Sequence, residues 1–177
     1  NNFKWLHSSL NLYYNFCKYG GRRALLIGSC AEYNFNEKFL KENFIKKIKH
    51  TRYSLCKETF LNQAYKISKK FNTQLVWARL FWIYGKNQQR GRLIPDLIYS
   101  ARNKKKMKIK KPGYILNLLN VHDVSVALFK VFESKIMGIV NIADKKNIKV
   151  MDIVKKCKSI FKNYKLNYKL NKIQYFK

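Results

Sequence analysis

Two side chains of this sequence have the types and the spacing needed for proton transfer at an alcohol. Tyr53 and Lys57 are four residues apart, so in a helix the phenol and the ammonium lie on one face. The cation can stabilise a phenolate, and a tyrosine placed in this way can act as a general acid or base. Such a pair can equally be a solvated helix face, because a chain rich in Tyr and Lys repeats this spacing by chance.

Ser29 supplies a third polar group, at the end of an apolar stretch. Residues 23–28 (RALLIG) form a short apolar run that predicts a buried parallel strand. A hydroxyl directly after such a strand lies at its carboxyl end, where open α/β sheets bind ligands. Residues 74–80 (QLVWARL) predict the next strand. We therefore expect Ser29, Tyr53 and Lys57 to converge on one cleft at the carboxyl ends of the strands.

The elements around this trio are predicted from apolar periodicity. Apolar residues at helical spacing over 3–17 predict a helix that ends at the glycine pair of positions 20 and 21. The helix that carries Tyr53 is predicted to bury an apolar stripe made of Leu55, Phe60, Leu61, Ala64, Ile67 and Phe71. The other predicted elements are a strand over 114–119, a helix over 124–132 with Asp123 as its N-cap, a strand over 138–143 and a helix over 150–160.

Six stretches carry a resemblance to a known family. They are GSCAEY at 28–33, YSLCK at 53–57, ARLFWIYG at 78–85, RLIP at 92–95, VHDV at 121–124 and GIVNI at 138–142. In order and spacing the chain resembles the extended short-chain dehydrogenase/reductases, specifically the NAD-dependent nucleotide-sugar epimerase/dehydratase family. No single stretch is specific, but all six are in register over nearly the whole chain.

The resemblance implies an α/β fold, a partial Rossmann-like doubly wound parallel sheet with a small C-terminal substrate lobe. Residues 1–85 would form the C-terminal part of the dinucleotide-binding domain with the catalytic residues, and residues 86–177 the substrate lobe, with 121–143 returning to the sheet. The family's glycine-rich pyrophosphate turn is missing, since no Gly-x-x-Gly-x-x-Gly occurs among the 7 glycines. The chain is therefore expected to be a fragment without the amino-terminal half of the fold.

The resemblance also assigns roles to residues at the cofactor. Tyr53 would be the catalytic acid/base, and Lys57 would support it and hold the nicotinamide ribose. Ser29 would bind the same sugar oxygen as Tyr53. The backbone around Leu80 and Phe81 would border the nicotinamide of NAD (or NADP), which is the expected cofactor.

Departures from the family pattern narrow the predicted reaction. Family dehydratases place Asp-Glu after the catalytic Ser or Thr, and this chain has Cys30 and Ala31 there, which favours an epimerase or a 4-ketoreductase. Cys30 is interpreted as a packed strand-end residue, because the acid cysteine of the fucose-synthase type would fall at Ala31. The predicted substrate contacts of the nucleotide sugar are Ser29, Trp82, Arg92 and Leu93, with Trp82 in place of a sugar-binding asparagine.

Composition leaves two other functions open. The net charge of +29 would suit a basic nucleic-acid-binding protein. However, only 7 of the 38 basic residues are Arg and the excess is spread along the chain, so no specific nucleic acid is expected. The third interpretation is an inactive remnant or partner-binding domain of the same fold, and the fragment alone is expected to be inactive.

Location and assembly follow from the remaining composition. The four cysteines have no paired spacing, so neither a metal site nor a disulfide framework is predicted. No apolar run reaches the length of a membrane span. We expect a soluble, cytoplasmic protein without a membrane partner, and the resemblance implies a homodimer in the full-length form.

Overall fold

The computed structural model describes residues 1–33, 40–43, 51–161 and 168–170. The helices are α1 (Asn2–Lys18), a short 3₁₀ helix (Cys30–Glu32), α2 (Arg52–Phe71), α3 (Leu93–Arg102), α4 (Val121–Glu133) and α5 (Val150–Ile160). The strands are β1 (Arg23–Ser29), β2 (Gln74–Leu80), β3 (Trp82–Tyr84), β4 (Met107–Ile109), β5 (Ile115–Leu116), β6 (Leu118–Asn120), β7 (Gly138–Ile142), β8 (Ile148–Lys149) and β9 (Tyr168–Leu170).

The chain divides into two compact units. The first unit contains Asn1–Phe81 and His122–Ala143, and the second contains Trp82–Val121 and Asp144–Lys177. Helix by helix, no described segment is both long enough and apolar enough to cross a membrane.

A parallel sheet organises the first unit. Its described strands have the order β1-β2-β7, and both pairings are parallel. Helices α1 and α2 pack together over one face, where Tyr13, Phe60 and Ala64 meet the sheet residues Leu75 and Trp77. The α/β class with a parallel sheet, predicted from the sequence, is confirmed.

Helix α1 ends where the glycine pair predicts. Gly20 adopts a φ of +89°, and its amide donates to the carbonyl of Cys17. The amide of Gly21 reaches back to Phe16 at 2.9 Å, which completes a Schellman motif. Glycine takes this left-handed conformation without a Cβ penalty, so the chain turns directly from α1 into β1.

Helix α2 buries the apolar stripe that the sequence predicts, with Leu55 as the exception: Phe60, Leu61 and Ala64 are buried, and Ile67 and Phe71 pack against the same core. The helix begins with a capping box between Thr51 and Ser54. Leu55, for which the sequence predicts burial, is 42% exposed, and Lys57 is only 6% exposed. At 100° per residue, Leu55 lies about 200° from Lys57 around the helix, opposite the buried stripe that continues through Ala64. The prediction for Leu55 is therefore wrong.

The second unit is built from three short strand pairs and two helices. β3 pairs with β6 and β4 with β9 in parallel, and β5 pairs with β8 in antiparallel. Its core contains Leu97, Ala101, Ile109, Leu116 and Val154. The single strand predicted over 114–119 is two strands, β5 and β6.

Two local predictions in this part of the chain are wrong for identifiable reasons. Asn117 separates β5 from β6, and its side chain hydrogen-bonds to the backbone of Asp144. Nδ2 of Asn117 donates to the Asp144 carbonyl at 2.8 Å, and Oδ1 of Asn117 accepts from the Asp144 amide at 2.7 Å. Asp123 is not an N-cap, because α4 already begins at Val121 and Asp123 lies within its first turn.

Candidate functional site

Lys57 is a buried ammonium held between β1 and α1. Its Nζ donates to the carbonyl oxygen of Ile27 at 2.7 Å and lies 4.0 Å from the ring centroid of Trp5. Burial lowers the pKa of Lys57 from its ordinary value, and the negative charge of Glu32 opposes that shift. The cation is thus fixed at β1, two residues before Ser29.

Tyr53 lies one turn before Lys57 at the start of α2. The Nζ of Lys57 is 5.9 Å from the centroid of the Tyr53 ring, as the four-residue spacing predicts. Tyr53 is 44% exposed, whereas Lys57 is buried. The Tyr53 side chain is therefore at the surface, and the buried ammonium of Lys57 lies next to its ring.

Ser29 ends β1 and caps the 3₁₀ helix that follows. Its Oγ accepts from the amide of Ala31 at 3.2 Å, and its own amide donates to Oε1 of Glu32 at 2.7 Å. These two bonds form a capping box. In the sheet register Ser29 lies opposite Leu80, so both are at the carboxyl ends of adjacent strands.

A buried carboxylate behind Ser29 is a part of the site that the sequence reasoning missed. Oε2 of Glu32 accepts from Nε of Arg79 at 2.8 Å and from Nε1 of Trp77 at 3.0 Å. The side chains of Glu32 and Arg79 are 2% and 9% exposed. The sequence contains a signal for this ion pair. Arg79 lies within the apolar run 74–80 and Glu32 shortly after the apolar run 23–28, and buried charges are usually paired.

Arg79 extends this network across the sheet. Its guanidinium carbon is 4.5 Å from the ring centroid of Tyr33, and its NH1 donates to the carbonyl of Glu42 at 3.2 Å. The Tyr33 hydroxyl donates to Oδ1 of Asn141 on β7 at 2.8 Å. The ends of β1, β2 and β7 are thereby tied together around one ion pair.

Gly28 allows this network to approach the strand. A Cβ at position 28 would lie closer than van der Waals contact to the indole of Trp77 and to Oε1 of Glu32. Trp77 is completely buried, so it has little room to move. We expect Gly28→Ala to lower the free energy of unfolding by about 1–3 kcal/mol, as overpacking does.

Urea unfolding of the Gly28→Ala variant measures this effect. Gly113→Ala is the matched control, because a Cβ at position 113 meets nothing within 4 Å. Equal stability of the two variants would show that the approach of Trp77 to the strand is not tight.

Cys30 has the properties of a packed residue. It is 7% exposed, and burial raises the pKa of its thiol to about 12, so the thiol is uncharged at neutral pH. Within the described ranges, no group of His, Cys, Asp or Glu side chains is arranged to hold a metal ion.

The remaining predicted site residues are divided between the two units: Leu80 and Phe81 lie in the first, and Trp82, Arg92 and Leu93 lie in the second. In the first unit, the amide of Phe81 donates to the carbonyl of Ile142 at 3.4 Å, directly after Leu80. In the second unit, Trp82 and Leu93 pack against the core, and exposed Arg92 is the N-cap residue of α3. Lys57 contacts the ring of Tyr53 and hydrogen-bonds to the carbonyl of Ile27 on β1. Trp82, Arg92 and Leu93 have contacts within their own unit, and their role at a substrate stays a prediction.

Sequence comparison identifies one family. A family model described as "NAD dependent epimerase/dehydratase family" matches residues 5–143. No curated protein sequence matches the chain significantly.

Solved structures similar to this chain include three nucleotide-sugar epimerases. UDP-glucuronic acid 4-epimerase from Bacillus cereus, in complex with UDP-glucuronic acid and NAD, has a TM-score of 0.85 and 18% identity over 96% of this chain and 54% of its own. UDP-N-acetylglucosamine 4-epimerase from Methanobrevibacter ruminantium has a TM-score of 0.83 and 16% identity over 94% and 56% of the two chains. UDP-glucose 4-epimerase from Thermus thermophilus, in complex with NAD, has a TM-score of 0.78 and 15% identity over 90% of this chain and 54% of its own. The chain spans about half the length of each.

Proposed function

This chain belongs to the NAD-dependent epimerase/dehydratase family, and from that premise we propose that it supplies the catalytic part of an NAD-dependent epimerase or 4-ketoreductase. The substrate would be a hydroxyl or ketone of a nucleotide sugar. One observation carries the proposal: the Lys57 ammonium lies beside the ring of Tyr53 and is bound to β1 near Ser29. This observation supports the proposal, because a cation beside the Tyr53 ring can stabilise a phenolate.

Each of the three residues has a separate task in this proposal. The Tyr53 phenol exchanges a proton with the reacting hydroxyl. The Lys57 ammonium stabilises the phenolate and binds the nicotinamide ribose. The Ser29 hydroxyl hydrogen-bonds the same substrate oxygen and holds it in place. A bound nicotinamide would accept hydride from the sugar carbon when a hydroxyl is oxidised, and in its reduced form would donate hydride when a ketone is reduced.

The residues of this chain fit only one end of the cofactor. Lys57 and the backbone near Leu80 and Phe81 suit the nicotinamide and its ribose. The pyrophosphate needs a glycine-rich turn at a helix N-terminus, and residues 1–177 contain no Gly-x-x-Gly-x-x-Gly. A nucleotide-binding half from outside residues 1–177 would have to provide the rest of the site.

We therefore expect residues 1–177 alone to show no measurable NAD binding in isothermal titration calorimetry. The sequence of residues 1–177 contains no glycine-rich pyrophosphate turn, so the nicotinamide end would have to supply the affinity alone. A front half from the Bacillus cereus enzyme, produced together with this chain, should restore binding. Micromolar affinity of residues 1–177 alone would contradict this expectation.

A second candidate function is an inactive or partner-binding domain of the same fold. The residue at position 82 favours it, because Trp82 stands where the family resemblance expects a sugar-binding asparagine. Turnover decides between the two candidates: the combined protein is given UDP-glucuronic acid and epimer formation is followed. Binding of NAD without turnover would support the inactive domain.

A further inference from the structure

Two opposite charges bind neighbouring backbone groups of β1. Nζ of Lys57 donates to the carbonyl of Ile27 at 2.7 Å, and Oε1 of Glu32 accepts from the amide of Ser29 at 2.7 Å. Ile27 and Ser29 are two residues apart on one strand, so their backbone polar groups face the same side of it. The ammonium from α2 and the carboxylate from the 3₁₀ helix therefore lie close together on β1.

Glu32 is the charged side chain that acts on Lys57 within the described ranges. Burial lowers the pKa of Lys57, and the negative charge of Glu32 raises it again. The other neighbours are uncharged at neutral pH: α1 contributes the ring of Trp5, α2 the phenol of Tyr53, and β1 a backbone carbonyl. Without the carboxylate, burial would act on Lys57 unopposed.

The Glu32 carboxylate is fixed in place by other hydrogen bonds. Oε2 accepts from Nε of Arg79 at 2.8 Å and from Nε1 of Trp77 at 3.0 Å. Charge-assisted hydrogen bonds of this kind are among the strong ones in proteins. The side chain of Glu32 is only 2% exposed. Neutralising Arg79 requires one oxygen of the carboxylate, whereas the second oxygen binds Ser29.

We propose that Glu32 is a positioning residue of the candidate site, which fixes the backbone of Ser29 and supports the positive charge of Lys57. It acts through these two residues. A lysine stabilises a phenolate at Tyr53 only while it is protonated, so removal of the carboxylate should impair the site first at high pH. The roles of Ser29 and Lys57 at a substrate rest on the proposed function; the electrostatic link between Glu32 and Lys57 does not.

The first test is an NMR titration of this chain without cofactor or substrate. The chain is labelled with ¹³C at the ε-carbon of lysine, and the Lys57 signal is identified by its loss in Lys57→Arg. Glu32→Gln replaces the carboxylate by a neutral amide of similar shape. We expect Lys57 to titrate at a lower pH in this variant than in the parent, because burial is then unopposed.

Glu133→Gln is the matched control for this titration. Glu133 is an exposed residue at the end of α4, and its neighbour Phe132 accepts from Arg23 at the opposite end of β1 from Ser29. The chemical change is the same, but salt screens an exposed charge far from Lys57. The titration of Lys57 should therefore be the same in Glu133→Gln as in the parent.

A double variant keeps the test valid if Glu32→Gln does not fold. Glu32→Leu with Arg79→Met also lacks the carboxylate, and it leaves neither partner of the buried pair unpaired. Lys57 should again titrate at a lower pH. The amide of Ser29 loses its acceptor, so it should exchange hydrogen about tenfold faster or more. A Lys57 titration at the parental pH in either folded variant would overturn the proposal.

The second test follows turnover of UDP-glucuronic acid by this chain combined with the front half of the Bacillus cereus enzyme. In Glu32→Gln the alkaline limb of the kcat profile should move to lower pH, with a loss of about tenfold above the parental optimum. A merely structural role would lower kcat equally at every pH. Glu32→Asp retains the charge and should restore the limb toward its parental position.

The two tests separate this proposal from the proposed function. An active combined protein whose alkaline limb does not move in Glu32→Gln would overturn the positioning role. A lower titration of Lys57 in Glu32→Gln, together with a combined protein that never turns over, would support the link between Glu32 and Lys57 and contradict only the proposed function.

Discussion

Tyr53→Phe is expected to reduce turnover of a nucleotide sugar by about 10²–10⁴-fold when this chain is combined with a nucleotide-binding half, as in the proposed function. Phenol and phenyl rings fill the same space, so the ring contact with Lys57 and the substrate KM should change little. Only the phenol can exchange a proton with the reacting hydroxyl. Steady-state kinetics, with kcat and KM determined separately, measure the effect.

The same helix offers a matched control for this substitution. Tyr65→Phe makes the same chemical change on α2 at a side chain of similar exposure, 38% against 44% for Tyr53. Turnover of the Tyr65→Phe variant should stay close to that of the parent. If Tyr53→Phe retained parental kcat across the pH range, Tyr53 would not be the acid/base.

Glu32→Ala is expected to lower the free energy of unfolding by about 3–5 kcal/mol, because it leaves a buried cation without its partner. The Arg79 side chain is 9% exposed, so water cannot replace the lost carboxylate. The indole N–H of Trp77 and the amide of Ser29 lose the same acceptor. Urea unfolding followed by tryptophan fluorescence gives the change in stability.

An exposed ion pair of the same type provides the comparison. Nε of Arg90 lies 2.6 Å from Oδ1 of Asp96, and these side chains are 55% and 27% exposed. Asp96→Asn should therefore cost far less than Glu32→Ala. The double variant Glu32→Leu with Arg79→Met should recover much of the loss, because it removes both charges. A similar loss for Asp96→Asn and Glu32→Ala would mean that burial does not decide the strength of these pairs.

Features specified by neighbouring residues were predictable from the sequence. Helix α1 with its glycine ending, the strand β1 and the parallel sheet are confirmed. The first two depend on periodicity or turn chemistry within about 20 residues, and the parallel pairing follows from helices that connect successive strands. The roles assigned to Ser29, Tyr53 and Lys57 stay predictions, and their contacts support them.

Features that depend on distant partners were not predictable in the same way. Glu32 and Arg79 are 47 residues apart in sequence, and the residues next to either one do not indicate that the two form an ion pair. The stacking of Trp5 on Lys57 likewise requires α1 and α2 to be packed first. The prediction for Leu55 is wrong because Leu55 lies on the opposite side of α2 from Ala64, outside the apolar stripe that packs into the core.

The parallel sheet also sets an order of events during synthesis. β7 completes the described three-stranded sheet, yet it lies roughly 60 residues after β2 because the chain first passes through part of the second unit. At about 5–20 residues per second, a ribosome needs several seconds to make that stretch. Throughout this interval the edge of β2 that pairs with β7 in the folded chain is uncovered, so contact with a chaperone is most useful before residue 142 has emerged.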